Sequence, residues 1–281
     1  MDNVSLEKFS RCDICLEETC GGKHNCHCAT CPRLKECYRF LHATIRITTK
    51  CTQTCSHCCF SCSPESTKMM TIEKAKEIST FLQNNHIGSL NVMGGEFFCN
   101  PDWFDIIDSF LSVSVNVRLV SNGDWANNEK VKEQLVSLNK KYPNILHISI
   151  SKDKWHNNIN VESAEKFLKE NELRYNIGTE REDNDNVIIP VGRGQMSYGL
   201  YELFACYCHN PEHMYSFLID ENGDIYKCGF GVWNYANIAD YLDGGFRKKF
   251  KEFNKKFYGI WVSSCGSCIR VAKQKNHIVD N

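Results

Sequence analysis

The residues best placed to do chemistry are cysteines. Cys51-Thr-Gln-Thr-Cys55-Ser-His-Cys58 is a C-x3-C-x2-C run, three thiols on one short loop. Three thiolates can hold three irons of a 4Fe–4S cube and leave the fourth iron open, whereas ordinary electron-transfer clusters take four cysteines. A zinc knuckle or a partial ferredoxin motif is the alternative for such a run taken alone. Further along, Cys208-x14-Gly223-x4-Cys228 and Cys265-x2-Cys268 make a four-thiol set in which Gly223 turns a hairpin. Such a set suits a fully ligated 4Fe–4S cluster or a structural zinc ribbon, with Cys206 competing with Cys208 as first ligand. Near the start, Cys28-x2-Cys31-x5-Cys37 forms a third group, with His24, His27, Cys12 and Cys15 close by. Its ligand is either zinc or another cluster. Cys59, Cys62 and Cys99 read as bystanders.

Eighteen cysteines in 281 residues would mean disulfides in a secreted chain; in a reduced cytosol they mean metal or iron–sulfur ligation. The N-terminal sequence MDNVSLEKFSRC lacks a signal peptide's apolar stretch, and no apolar run reaches the ~18–20 residues of a membrane span. A cytoplasmic protein with no membrane partner is therefore expected. Thirty-three Lys and Arg against 34 Asp and Glu give a net charge of −1, which offers no basic field for nucleic acid. With 42% hydrophobic and 24% charged residues, there is material for one sizeable core and a smaller module.

The positioning elements follow from periodicity. ATIRIT (43–48), SLNVM (89–93), NVRLV (116–120), LHISI (146–150) and VIIPV (187–191) read as strands. Helical stripes lie between them: Ile72, Ala75, Ile78 and Leu82; Phe104, Ile107 and Leu111 after a first-turn Pro101; Val131, Leu135 and Leu138; Ala164, Phe167 and Leu168. Alternating strands and helices imply an α/β fold with a mainly parallel sheet, open or barrel-like, binding ligands at the carboxyl ends of its strands. After residue 195 the rhythm breaks. Residues 215–228 read as a hairpin turning at Glu221-Asn222-Gly223, and Phe246, Phe250 and Phe253 mark a short helix. Three regions result: a Cys-rich extension over 1–40, the α/β unit over 41–195 and a small α+β unit over 196–281.

The C-x3-C-x2-C loop after the first strand, Gly94-Gly95-Glu96 ending the second and Ser121-Asn122-Gly123 ending the third together resemble the radical S-adenosylmethionine (SAM) superfamily over roughly residues 42–195. The resemblance implies a partial (β/α)6 barrel and a cluster on Cys51, Cys55 and Cys58 whose open iron is ligated by SAM. It also implies reductive cleavage of SAM to a 5′-deoxyadenosyl radical that abstracts a substrate hydrogen. Gly94 and Gly95 then let the backbone approach the methionyl group, and the Glu96 carboxylate takes its ammonium. Ser121 and Asn122 lie beside the ribose, and His57 stands where the family has a ring near the adenine. Ser149, Ser151 and Asp153 sit where relatives place polar groups around SAM or substrate. Arg193, in Pro190-Val-Gly-Arg-Gly194, resembles a GR segment and would clamp a SAM or substrate carboxylate.

The C-terminal cysteines resemble the auxiliary-cluster domain called SPASM and, more closely, its shorter form, twitch. That implies one auxiliary 4Fe–4S cluster, and a second if residues 12–37 bind iron rather than zinc. An electron donor such as flavodoxin or ferredoxin is implied as partner. Two substrate classes compete, a ribosomally made peptide, which the extra cysteine block favours, and a small polar molecule such as an amino sugar. The non-enzyme alternative is a multi-zinc interaction protein, against which neutral charge and the Gly-Gly-Glu offset both argue.

Overall fold

The computed structural model describes residues 42–85, 87–178, 193, 216–226, 234–246, 248–250 and 252. Five strands, β1 (His42–Arg46), β2 (Ser89–Met93), β3 (Asn116–Ser121), β4 (Leu146–Ser151) and β5 (Tyr175–Gly178), run parallel in sequence order. Helices α1 (Ile72–Asn84), α2 (Trp103–Leu111), α3 (Glu129–Lys141) and α4 (Val161–Glu170) occupy the crossovers after β1, β2, β3 and β4. The hairpin β6 (Ser216–Ile219) and β7 (Asp224–Tyr226) follows, then β8 (Asn234–Asn237). All eight strands form one sheet in the order β5-β4-β3-β2-β1-β6-β7-β8, with β6 parallel to β1 and the last two pairings antiparallel. The α/β class and mainly parallel sheet expected from the sequence are thus present.

The helices form where their caps and apolar stripes agree. The Thr71 hydroxyl accepts from Lys74 N at 3.2 Å, and Asn128 Oδ1 accepts from Val131 N at 3.2 Å, satisfying first-turn donors of α1 and α3. Ala75, Ile78 and Leu82 of α1 and Leu135 and Leu138 of α3 are buried, so the predicted stripes are the core faces. Pro101 is displaced from its expected place in the first turn of α2. It precedes the N-cap Asp102, because Asn100 Oδ1 accepts from Asp102 N at 2.9 Å and turns the chain before the helix begins.

The hairpin belongs to the same core. Phe217 of β6 packs 5.0 Å from Phe246, which in turn lies 5.1 Å from Phe81 of α1 and stacks 5.1 Å from Phe250. Asn85, capping α1, accepts from Phe246 N at 2.8 Å and donates to Tyr241 O at 2.9 Å. The expected strand over 187–191, the N-terminal block and Phe253 lie outside the described residues.

One buried ionic group joins β1 to the hairpin turn. Arg46 Nε donates to Glu221 Oε2 at 2.9 Å and Nη2 lies 3.6 Å from Asp220 Oδ2, with all three side chains at most 12% exposed. Removing the guanidinium leaves the buried Glu221 carboxylate without its close donor, while Asp220 keeps Asn222 N, Asp224 N and the Tyr226 hydroxyl. Arg46→Met should therefore cost about 3–5 kcal/mol of stability, typical for breaking a buried pair on one side. Urea unfolding checks it, and an unchanged midpoint would show that the Glu221 carboxylate re-solvates freely.

Candidate functional site

The carboxyl ends of β1 to β5 meet at a cavity of about 280 Å³. Its wall includes Cys51, Cys55 and Cys58, Gly94 and Gly95, Ser121 and Asn122, and Ser149 and Ser151. His57, Asp153 and Arg193 line it too. Glu96, Cys99 and Gly123 stand outside that wall; Cys59 and Cys62, read as bystanders, are part of it. Cys28, Cys31, Cys37, Cys208, Cys228, Cys265 and Cys268 lie outside the described residues.

The cysteine loop is positioned by backbone contact. Beyond the paired ends of β1 and β2, Gly95 N donates to Thr48 O and Glu96 N to Lys50 O, each at 2.9 Å. This approach leaves no room for a side chain: a Cβ on Gly95 would sit 2.2 Å from Lys50 O and one on Gly94 2.7 Å from Thr48 O. The two glycines are therefore needed for protein–protein contact, a reason additional to ligand access.

Glu96 turns into β3. It is 1% exposed, and its Oε2 accepts from Ser121 Oγ at 3.0 Å and from Asn122 N at 2.8 Å. Oε1 is buried and has no hydrogen-bond partner among the described residues. Burial pushes the carboxyl from its ordinary 4.5 to about 8, against the pull of those two donors. Ser121 Oγ also accepts from Gly123 N at 3.0 Å and Trp125 Nε1 at 3.1 Å. Asn122 Nδ2 reaches Thr52 Oγ1 at 2.9 Å, and Gly123 takes φ +84°, which lets the chain turn directly after Asn122. The segments ending β2 and β3 and the cysteine loop thus form one hydrogen-bonded unit.

Sequence reasoning missed a second layer. Gln53 Nε2 donates to Asp124 Oδ2 at 2.9 Å, while Gln53 Oε1 accepts from Asn157 N at 2.9 Å; Thr52 also bonds Asp124. Only the position of Asp124 directly after Ser-Asn-Gly hinted at such a role. Arg193, expected as a carboxylate clamp, meets backbone carbonyls of the cysteine loop. Its Nε donates to Cys55 O at 2.9 Å, a terminal nitrogen to Cys62 O, and its backbone N to Cys58 O at 3.0 Å.

The thiols differ electrostatically. Burial raises Cys51 to about 12 and Cys55 to about 11, so both are protonated at neutral pH in the metal-free chain. A hydrogen bond from the Cys62 thiol, helped by Cys62 N at 3.3 Å, draws Cys58 well below the ordinary thiol value and raises Cys62. Opposite them, His57 packs edge-on against His156 at 4.8 Å and lies 6.0 Å from Trp155. Burial alone would raise Asp153. The hydrogen bond from His156 Nδ1 at 2.9 Å and that from Trp155 N at 2.8 Å outweigh it and hold the carboxylate below its usual range. His57, Asp153 and His156 offer ligand atoms within 4.8 Å of one another. However, Asp153 Oδ1 already takes three donors, the third being His156 N at 3.1 Å, and so fixes the turn after β4.

Comparison with known proteins adds a family likeness. The sequence profile of the radical SAM superfamily matches residues 45–173. That match takes in 129 of the 281 residues. The chain is 30% identical over 135 residues to YydG of Bacillus subtilis (strain 168), which is named for peptide biosynthesis. That match covers 47% of this chain and 42% of YydG. It is 28% identical over 133 residues to the antilisterial bacteriocin subtilosin biosynthesis protein AlbA of the same strain, covering 47% of this chain and 29% of AlbA. The chain thus spans less than half the length of these curated relatives. Among solved structures, BtrN in complex with AdoMet and 2-DOIA aligns with a TM-score of 0.54 at 14% identity, over 77% of this chain and 86% of that one. This likeness establishes the shared fold. No helix among the described residues is long and apolar enough to cross a membrane.

The raised carboxyl of Glu96 has a measurable consequence. The unfolded chain releases this proton near 4.5, while the folded protein keeps it to about 8. The folded form therefore binds more protons in that interval and loses stability as pH rises through it. In the metal-free, SAM-free chain, urea midpoints should fall from about pH 5 to about pH 8 more steeply for wild type than for Glu96→Gln. Parallel slopes would mean that Glu96 ionises normally in the fold.

Proposed function

We propose that the protein is a radical SAM enzyme that cleaves S-adenosylmethionine reductively and oxidatively modifies a C–H bond of a ribosomally made peptide. The observation that carries this is the meeting of Cys51, Cys55 and Cys58 with the Gly94-Gly95 and Ser121-Asn122 segments around one cavity at the strand ends. The donor set fits the cofactors of the superfamily. Three thiols on one loop match a cluster with an open iron, and a buried carboxylate oxygen without a partner suits an ammonium. When bound, the cluster supplies the single electron that cleaves SAM. Cys51, Cys55 and Cys58 hold it, and two of them must lose a proton to do so.

In this reading Gly94 and Gly95 line the methionyl end. Glu96 holds Ser121 and Asn122 through Oε2 and takes the ammonium at Oε1. His57, with Ser149 and Ser151 across the cavity, borders the adenosyl end. Two relatives named for peptide and bacteriocin biosynthesis favour a peptide over an amino sugar. Residues 196–281 then supply a twitch-like auxiliary cluster through Cys208, Cys228, Cys265 and Cys268, and residues 1–40 a second through Cys28, Cys31 and Cys37. A flavodoxin or ferredoxin in the cytoplasm would deliver the electron.

Anaerobically reconstituted protein with dithionite and SAM should release 5′-deoxyadenosine, and a Cys51/Cys55/Cys58 triple alanine variant should release none while losing about four irons. Equal product from both would refute the assignment. The triple variant Cys28→Ala, Cys31→Ala, Cys37→Ala should likewise lose about four irons yet keep SAM cleavage. Loss of zinc alone would assign the N-terminal block to zinc.

A further inference from the structure

The cysteine loop is anchored at its start through Thr52 and Gln53, but the stretch from Cys55 to Cys62 has few backbone bonds of its own. Thr52, Thr54 and Ser56 are exposed, and Ser61 adopts φ +54°, an unfavourable conformation for a residue with a side chain. From Cys55 onward the backbone N–H groups bonded within the loop are Cys58 N to Cys55 O at 3.2 Å, Ser61 N to Cys58 O at 3.3 Å and Cys62 N to Cys58 Sγ at 3.3 Å. The carbonyls of Cys55, Cys58 and Cys62 are spaced three and four residues apart, like those at a helix C-terminus, where a cation is favourable. Arg193 meets all three, with its Nε, its backbone N and a terminal nitrogen. These bonds span more than 130 residues, so no local contact can replace them.

We infer that Arg193 is the positioning residue of the cluster loop, clamping the backbone of Cys55, Cys58 and Cys62 from beyond β5 and placing a fixed positive charge beside the thiolates. The inference rests on the cluster assignment proposed above. Two effects follow, and they separate. The planar fork joins two carbonyls at once, which an ammonium on a flexible stem does not reproduce. The charge favours the reduced, more negative cluster and so raises its reduction potential, which an ammonium does reproduce.

The test uses reconstituted wild type, Arg193→Lys and Arg193→Gln, and reads the EPR signal of the reduced cluster that changes on adding SAM. That signal isolates the open-iron cluster from auxiliary ones. Under a strong iron chelator it should decay about tenfold faster in both variants, the factor expected for losing about 1.4 kcal/mol of clamp. Its midpoint potential should fall in Arg193→Gln and stay at the wild-type value in Arg193→Lys. If Arg193→Gln fails to load, Arg193→Lys still decides: fast decay supports the clamp, wild-type decay overturns it. Wild-type decay and potential with only weaker SAM binding would overturn the clamp and make Arg193 a carboxylate ligand instead. Absence of any SAM-responsive signal in wild type would count against the cluster assignment rather than against Arg193.

Discussion

The site depends on one contact between backbones. Where β1 and β2 stop pairing as strands, Gly95 N and Glu96 N continue to bond Thr48 O and Lys50 O. With no Cβ at Gly94 or Gly95, the chain entering Cys51 lies against the end of β2. Both cavity-lining segments are thereby set by one ladder, and an error in either would displace the other. Glu96 then carries the register to β3 through Ser121 and Asn122, and Asn122 returns to the loop at Thr52. The circuit closes without any ligand.

The sheet makes that circuit rigid from behind. β1 is central, paired on both sides by parallel strands, and its last residue, Arg46, is tied to Asp220 and Glu221 in the hairpin turn. The same guanidinium lies 5.2 Å from the Phe60 ring in the cysteine loop. The hairpin is therefore more than an appendage: its turn sits beside the carboxyl end of the strand that launches the cysteine loop. Ends of parallel strands suit such a site because each delivers a loop to the same side of the sheet.

Much of this was legible in the sequence because the signals are local. β2 spans the residues its alternation marked, and the cysteine, Gly-Gly-Glu and Ser-Asn-Gly motifs have fixed internal spacing. β5 and β8 were missed for a physical reason. Each has four residues, with none buried, so neither shows the alternation that a half-buried strand prints on a sequence. The interactions of Gln53 and Arg193 were illegible for another. Their partners include Asn157 N and the carbonyls of Cys55 and Cys62, and a backbone donor or acceptor has no residue type to read. Arginine in a glycine turn suggested a clamp for a carboxylate; the fold supplied carbonyls.

A site made of thiols and carboxyls might be expected to carry strong negative charge. Burial prevents it. Cys51, Cys55 and Glu96 all hold their protons at neutral pH in the metal-free chain, and the charged Asp153 is met by His156 and backbone N–H groups. Cys58 is the thiol drawn toward ionisation, and Arg193 in the same wall opposes its charge, so the fold is spared the repulsion of several buried anions. Under the proposed function cationic occupants would reverse the balance: iron held by the thiols would displace their protons, and an ammonium at Glu96 Oε1 would favour the ionised carboxyl. Loading would then be coupled to proton release, with the same groups that keep the site's charge low serving as the groups that bind.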